Sequence, residues 1–595
     1  MPSSPATAAH PVILSITSNG RPYDEIGAVI SINVILRVNR IPVARIVLAD
    51  GRTPEQDFPL SDAETFKPGA EIVIKAGYEE GAKQIFKGVI TGHGLKHSGG
   101  SRARLVIECR HPAVKMTIPR KNAVFADQTD SETIESLIGA YNGLSADTTS
   151  TSVRHGEMVQ YYCSDWDYML ARAEANGQLV IVEDGKITVG PPKTSGASVL
   201  EVTYGEDLIE FRADIDVRSQ LSAVEALAWD PAIQKNATAS ASPAELNNQG
   251  NLGSSELAEI VGPSEYRLQT STPVTQDSLE AWAKGAQLKA GLARIRGRMK
   301  FQGSALVVPG ALIELDGVGS RFNGQVYVSA VHHRIQDGEW ITEVQFGLDP
   351  AWFVQSNDVE APSASGYLPG ITGLHIGIVT RLDEDPGRQF RIQVRVPVLG
   401  DERNLVWARL AQTYASDKFG AFYVPEIDDE VILGFFNDDP THPVVLGSLY
   451  SSKNPPPHTL TADNNIKGFL SRERLRLECD EEMKSILIET PAGNRVVLNE
   501  EEKSIRVEDQ NGNTMTLSES GIAIASQKDI EIRAGGKIDI AATGPISVKS
   551  DDDVSVEGVN IEQTAQAEFT AQGSASAEVS SSGQTTVKGA MVMIN

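Results

Sequence analysis

The sequence predicts a mainly β protein. Barrel-like runs of strands with a few helices come first, then an OB-fold barrel, then a repeat-built β-helix or prism at the carboxyl end. Three observations carry that prediction. Val/Ile-rich runs punctuated by Asn-Gly and Asp-Gly turns dominate about the first 360 residues. Five more short runs crowd into residues 373–450. From Ile522 onward, apolar pairs recur every eight residues.

The 595 residues are 41% hydrophobic, enough for several cores and about three to five folded units. The 52 glycines and 30 prolines are close to average usage, which excludes a collagen-like or largely disordered chain. With 53 basic against 79 acidic residues, the net charge is −26. Such a surface repels phosphate backbones and anionic lipid, so no nucleic-acid partner is expected. Cys109, Cys163 and Cys479 have no CxxC spacing and read as ordinary reduced cysteines. Residues 1–10 lack the basic and apolar regions of a Sec signal, and no apolar run approaches the roughly 18 residues that span a bilayer. Export, if it occurs, is expected by another route.

Taken in order, 11–16, 29–38, 45–48, 71–75 and 85–90 read as strands of a barrel, with turns at Asn19-Gly20 and Asp50-Gly51. Thr129-x-x-Glu132 predicts a capping box ahead of Ile134, Leu137 and Ile138. Ser164 predicts the N-cap of a second helix through Trp166, Met169 and Leu170, ended by Asn176-Gly177, and Glu183-Asp184-Gly185-Lys186 then turns a hairpin. Residues 235–256 are rich in Ala, Ser and Asn and read as a loop. A third helix is expected over 276–293, then strands at 305–308, 325–332 and 340–346. The polar stretch 355–370 marks a boundary, which sets a first domain at 1–358. Strands at 391–396, 405–410, 420–423, 430–436 and 444–449 predict a barrel at 371–450. Residues 451–465 form a linker stiffened by Pro455-Pro456-Pro457, and 466–595 form the repeat domain.

In that last domain Ile522, Ile530, Ile538, Ile546 and Val554 keep a step of eight, and so do Ile524, Ile532, Ile540, Val548 and Val556. An apolar pair at i and i+2 is one face of a short strand, so each octad reads as a strand and a turn. Weaker pairs continue to Met591/Met593. Two large apolar residues per octad make a stripe too thin to enclose itself. Either three octads of one chain form a triangular coil, or three chains each supply a face. The period does not choose.

Three stretches then resemble the VgrG spike proteins: Val406-Trp407-Ala408-Arg409, residues 420–431 (GAFYVPEIDDEV) and residues 438–450 (DDPTHPVVLGSLY). Residues 38–45 (VNRIPVAR), 85–90 (IFKGVI) and 164–169 (SDWDYM) are similar to the hub of the same family. The resemblance implies a homotrimeric central spike of a contractile injection system. Its hub (residues 1–358) adapts to the inner tube, its OB domain clasps the needle base, and its triple-stranded β-helix is the needle. Three chains are then favoured over one, with the ten octad residues as trimer core. The implied partners are the inner-tube protein, baseplate proteins, effector cargo and a PAAR-type tip protein, which Met591, Val592, Met593 and Ile594 would dock. The target envelope is met only transiently. Assembly is expected in the bacterial cytoplasm, within an extracellular or secreted phage-tail-like particle. No cofactor, metal or catalytic residue is implied, and the chain is expected not to be an enzyme. Fifteen residues (451–465) are too few to hold a lysozyme domain, and no histidine follows His458 to bind iron at a tip.

Asp438, Asp439 and His442 have metal-ligand chemistry but read as a turn between barrel strands. His332 and His333 are neighbours on a strand, so they point to opposite faces and do not chelate together. Glu500–Glu502 and Asp551–Asp553 fall at turns and read as solvated corners rather than the paired carboxylates of a glycosidase. The alternative function is a trimeric β-helical tailspike that binds or cleaves surface polysaccharide. Phe569 is the only aromatic within the octads, which leaves such an enzyme few sugar platforms.

Overall fold

The computed structural model describes residues 11–78, 81–99, 103–244, 246–262, 264–355, 359–400 and 404–594. Residues 1–10, read above for an export signal, lie outside them, as do 356–358 of the expected boundary. The chain divides into two compact units, Met1–Leu449 and Tyr450–Asn595.

In the first unit one sheet runs edge to edge through Glu210–Ile215, Ile295–Gln302, Glu339–Phe346, Gly324–Gln336, Val29–Arg37, Val43–Ala49 and Arg104–Arg110. It continues through Gly81–Lys96, Glu71–Tyr78 and Ile13–Ser18. The pairing of Val34 with His333 joins two halves of the sequence nearly 300 residues apart. Alternate residues face inward on each strand, so each half closes on its own core. Ile32, Ile46, Phe66, Ile74 and Leu105 fill one, and Phe301, Val326, Val328, Val344 and Phe346 fill the other.

The helical insertions follow their caps. Thr129 and Glu132 form the reciprocal capping box at the start of Asp130–Gly139. Ser164 accepts from the Asp167 N–H at the start of Asp165–Ala175, and Asn176 caps its end. The third helix is Gln276–Leu292, with Thr275 as its N-cap.

Residues 235–256 are not one loop. Lys235–Ala241 is a strand paired with Val224–Asp230, and Ser254–Val261 is a helix. Ala226, Ala228, Ala239 and Ala241 pack against Leu279, Ala283 and Ala286 of the third helix. Small side chains let the helix approach the sheet closely, and alanine's weak strand preference concealed the strand. Residues 305–308 likewise form no strand. Pro309 cannot donate to a ladder and Gly310 turns with φ +85, so pairing starts only at Leu312–Asp316.

His375–Arg381, Ile392–Arg395, Leu405–Leu410, Pro443–Ser448 and Glu430–Phe435 close a five-stranded barrel in that order, the OB fold. Its core is Val379, Ile392, Val394, Ala408, Val431, Leu433 and Val445. The strand expected at 420–423 is absent from the barrel. Phe419–Gly420 pairs only with Ala415–Ser416 in a small exposed hairpin, and Pro425 follows.

Three histidines make the first unit sensitive to acid. Burial lowers His111 from its ordinary 6.5 to about 4 and His333 to about 3, and it lowers His332 as well. Each is held neutral in the fold, while the unfolded chain takes up a proton below about pH 6.5. Their stability is therefore complete above that pH and is lost as pH falls toward 4 and 3. Between pH 7.5 and 5.0, His111 and His333 together are expected to cost about 4 kcal/mol. A lower urea midpoint at pH 5.0, with a smaller drop in His111→Gln, checks this.

Candidate functional site

The second unit begins as an antiparallel meander of seven strands: Ile466–Leu470, Arg476–Asp480, Ser485–Glu489, Arg495–Asn499, Ser504–Glu508, Thr514–Ser518 and Gly521–Ala525. Each strand is five residues long. The turns that join them include Thr490-Pro491-Ala492-Gly493-Asn494 and Asp509-Gln510-Asn511-Gly512-Asn513. There Asp509 accepts from the Asn511 and Asn513 backbone N–H groups. Those bonds, the Asn513 one foremost, lower the Asp509 pKa to about 2.

The register sorts the side chains onto two faces. One column runs Phe469, Leu477, Ile488, Val496, Val507, Met515, Ile524. A second runs Lys467, Cys479, Ile486, Leu498, Ile505, Leu517, Ile522. Except for Lys467, this face is apolar. The opposite face carries a ladder of alternating charge, Arg476, Glu489, Arg495, Glu508, in successive strands. Arg495 Nη2 lies 2.6 Å from Glu508 Oε2. Glu478, nearly buried, is held by Arg476 and by His458 Nε2 at 2.9 Å.

The apolar face is uncovered. Phe469, Leu477, Ile486, Ile488, Leu498, Ile505, Val507 and Met515 are 39–50% exposed. Ile522 and Ile524 are at once the last rung of the meander and the first octad pair. Beyond Ala525 no strand is paired among the described residues. Ile522, Ile524, Ile530, Ile532, Ile538, Ile540, Ile546, Val548, Val554 and Val556 are 52–79% exposed, and Met591, Val592, Met593 and Ile594 are exposed at the end. A folded sheet with one apolar face in water is an interaction surface.

The octad period does not extend to the rungs before Ile522, because the turns up to Thr514 alternate between five and four residues and the last has two. The pairs Leu477/Cys479, Ile486/Ile488, Val496/Leu498, Ile505/Val507 and Met515/Leu517 therefore step by nine or ten. The i, i+2 apolar pair was the available signal, without a fixed period.

The remaining candidates are structural. Asp439 accepts from the Thr441 N–H at 2.8 Å and meets His442 Nδ1 at 3.1 Å, closing the turn between two barrel strands. His333 bonds Thr342 at 3.0 Å and His332 bonds Asn33 at 3.2 Å, on opposite faces of their strand. Glu500–Glu502 lie exposed between the strands Arg495–Asn499 and Ser504–Glu508. Among the described residues no three His, Cys, Asp or Glu gather as a metal site, and no helix is long and apolar enough to cross a membrane.

Residues 8–337 match the model of the Alg8 N-terminal domain, and residues 375–450 match the type VI secretion system/phage-baseplate injector OB domain. The chain is 36% identical over 74 residues to the actin cross-linking toxin VgrG1 of Vibrio cholerae, covering 12% of this chain and 7% of that protein. It is 31% identical over 98 residues to the type VI secretion system spike protein VgrG3 of the same species, covering 16% of this chain and 9% of that one. The matches thus span less than a tenth of either relative's length. A prophage MuSo2 43 kDa tail protein of Shewanella oneidensis aligns over 57% of this chain and 98% of its own, at 10% identity and a TM-score of 0.44.

Proposed function

The chain belongs to the Alg8 N-terminal domain family, and from that premise we propose that it is a VgrG-type spike protein, three copies of which form the central spike of a contractile injection apparatus. The observation that carries this reading is the uncovered ladder from Phe469 to Val556. Each large apolar side chain moved from water to a core contributes about 1.5–3 kcal/mol. Three identical faces turned inward bury the whole ladder and leave the charged faces in water. They also give the octads the strand neighbours they lack within one chain.

The first unit would meet the inner tube and baseplate, and the needle would carry load along its axis. Met591 to Ile594 would dock a conical tip protein of the PAAR type, with effector cargo carried alongside. The spike would be assembled in the bacterial cytoplasm and act in an extracellular or secreted phage-tail-like particle. Its work would be mechanical, with no reaction of its own. The likeness to the spike protein VgrG3 favours this reading over a polysaccharide-cleaving tailspike.

The test is replacement of this chain, in cells that build the particle, by the Ile538→Asp/Ile540→Asp variant. Loss of spike-bearing particles in electron micrographs, with loss of delivery to target cells, is expected. Normal particles and normal delivery would overturn the reading.

A further inference from the structure

The octads pose a problem of alignment. Ile522/Ile524, Ile530/Ile532 and Ile538/Ile540 are chemically the same rung. A chain that slides by one octad against its neighbours exchanges isoleucine for isoleucine or valine and forfeits contacts chiefly at the ends. Register is weakly specified wherever successive rungs are interchangeable. Something outside the octads must fix it.

We propose that Lys467 is the residue that sets the axial register of the three chains. The inference rests on the three-copy reading. Lys467 is the one charged residue in the two columns of the apolar face, and it stands at their first rung, opposite Cys479. Its ammonium donates to the Asn464 carbonyl, and among the described residues it has no carboxylate partner. With the chains aligned, all three lysines lie in the first layer. Their stems cover the apolar core and their charged ends point away from it, beyond the first layer. Sliding any chain toward the tip carries its Lys467 into the layers of Cys479 and Ile486. Sliding it the other way leaves its neighbours' lysines beside those same layers. Either displacement buries at least one unpaired ammonium, which is strongly disfavoured. A single polar residue in an apolar seam selects one alignment in the same way in coiled coils. The meander suits this role because its strands are already paired within one chain.

The experiment measures spin-label distances on the full chain, with Cys163→Ser, Cys479→Ala and a single label at Glu501→Cys, an exposed turn position. Aligned chains place three labels in one layer and give one distance. A slip of one hairpin moves a chain by two strand spacings, about 9–10 Å along the axis, and adds a longer distance. The otherwise unaltered labelled chain and its Lys467→Arg variant are expected to show one distance. Lys467→Leu is expected to remain a trimer by mass and to gain the second. A single unchanged distance in Lys467→Leu overturns the register role. Absence of any inter-label distance in the parent overturns the three-copy reading beneath it.

Discussion

Replacing Ile538 and Ile540 together by aspartate is expected to abolish assembly of the needle. In three chains the change sets six carboxylates in two adjacent positions of one core layer. Each loses the burial of an isoleucine, about 1.5–3 kcal/mol, and each adds the desolvation of a charge with no cation facing it. The effect is multiplied by symmetry, and it exceeds the roughly 5–15 kcal/mol by which folded proteins are commonly stable. A chain that buried these residues within its own coil would suffer a third of the damage. The loss is read as a fall from trimer to monomer mass. The control Glu531→Gln changes a side chain between the octad isoleucines Ile530 and Ile532, which faces the other way, and is expected to leave the mass unchanged.

The second large effect is expected in the first unit, from Trp340→Ala. Trp340 is 1% exposed and belongs to the core of the strands 13–110 although its own strand is Glu339–Phe346. Its ring stacks on Tyr78 at 5.6 Å and meets His333 at 5.6 Å. The fit is close enough to dictate a neighbour: a Cβ added at Gly303 would stand 2.0 Å from the indole. Removing the ring leaves a cavity at the junction of the two halves and is expected to cost about 3–5 kcal/mol. Urea unfolding of the full chain checks this, as an earlier transition in the first unit with the trimer mass retained. Gly303→Ala is expected to err in the opposite sense, by overpacking, at about 1–3 kcal/mol.

These expectations differ in how far the sequence alone reaches. The helix caps at Thr129 and Ser164 were legible because a cap is a local hydrogen-bond pattern written within four residues. The OB barrel was legible in number of strands, but one of its expected members, 420–423, is an exposed hairpin next to a proline. Short apolar runs do not reveal which partner they pair with. The Ala-rich strand Lys235–Ala241 was hidden because its inward positions are small, a choice made by the helix above it rather than by the strand. The pairing of Val34 with His333 spans too much chain for any local pattern to record.

For the candidate site the position differs again. The octads announced an apolar ladder, since Ile at i and i+2 repeats without interruption from Ile522 to Ile540. The meander that precedes it has no fixed period, because its turns vary in length while its faces do not. The uncovered state of the ladder was a matter of structure. Only coordinates distinguish a stripe already buried by its own chain from one left in water, as Ile532 and Ile540 are at 75% and 78% exposure.

The central claim is most directly tested by the mass of the full chain in dilute solution, measured by light scattering together with hydrogen exchange over the octads. Three copies of a 64.0 kDa chain give about 192 kDa, with slow exchange from Ile522 to Val556. A species of 64.0 kDa whose octad amides are nonetheless protected would contradict it.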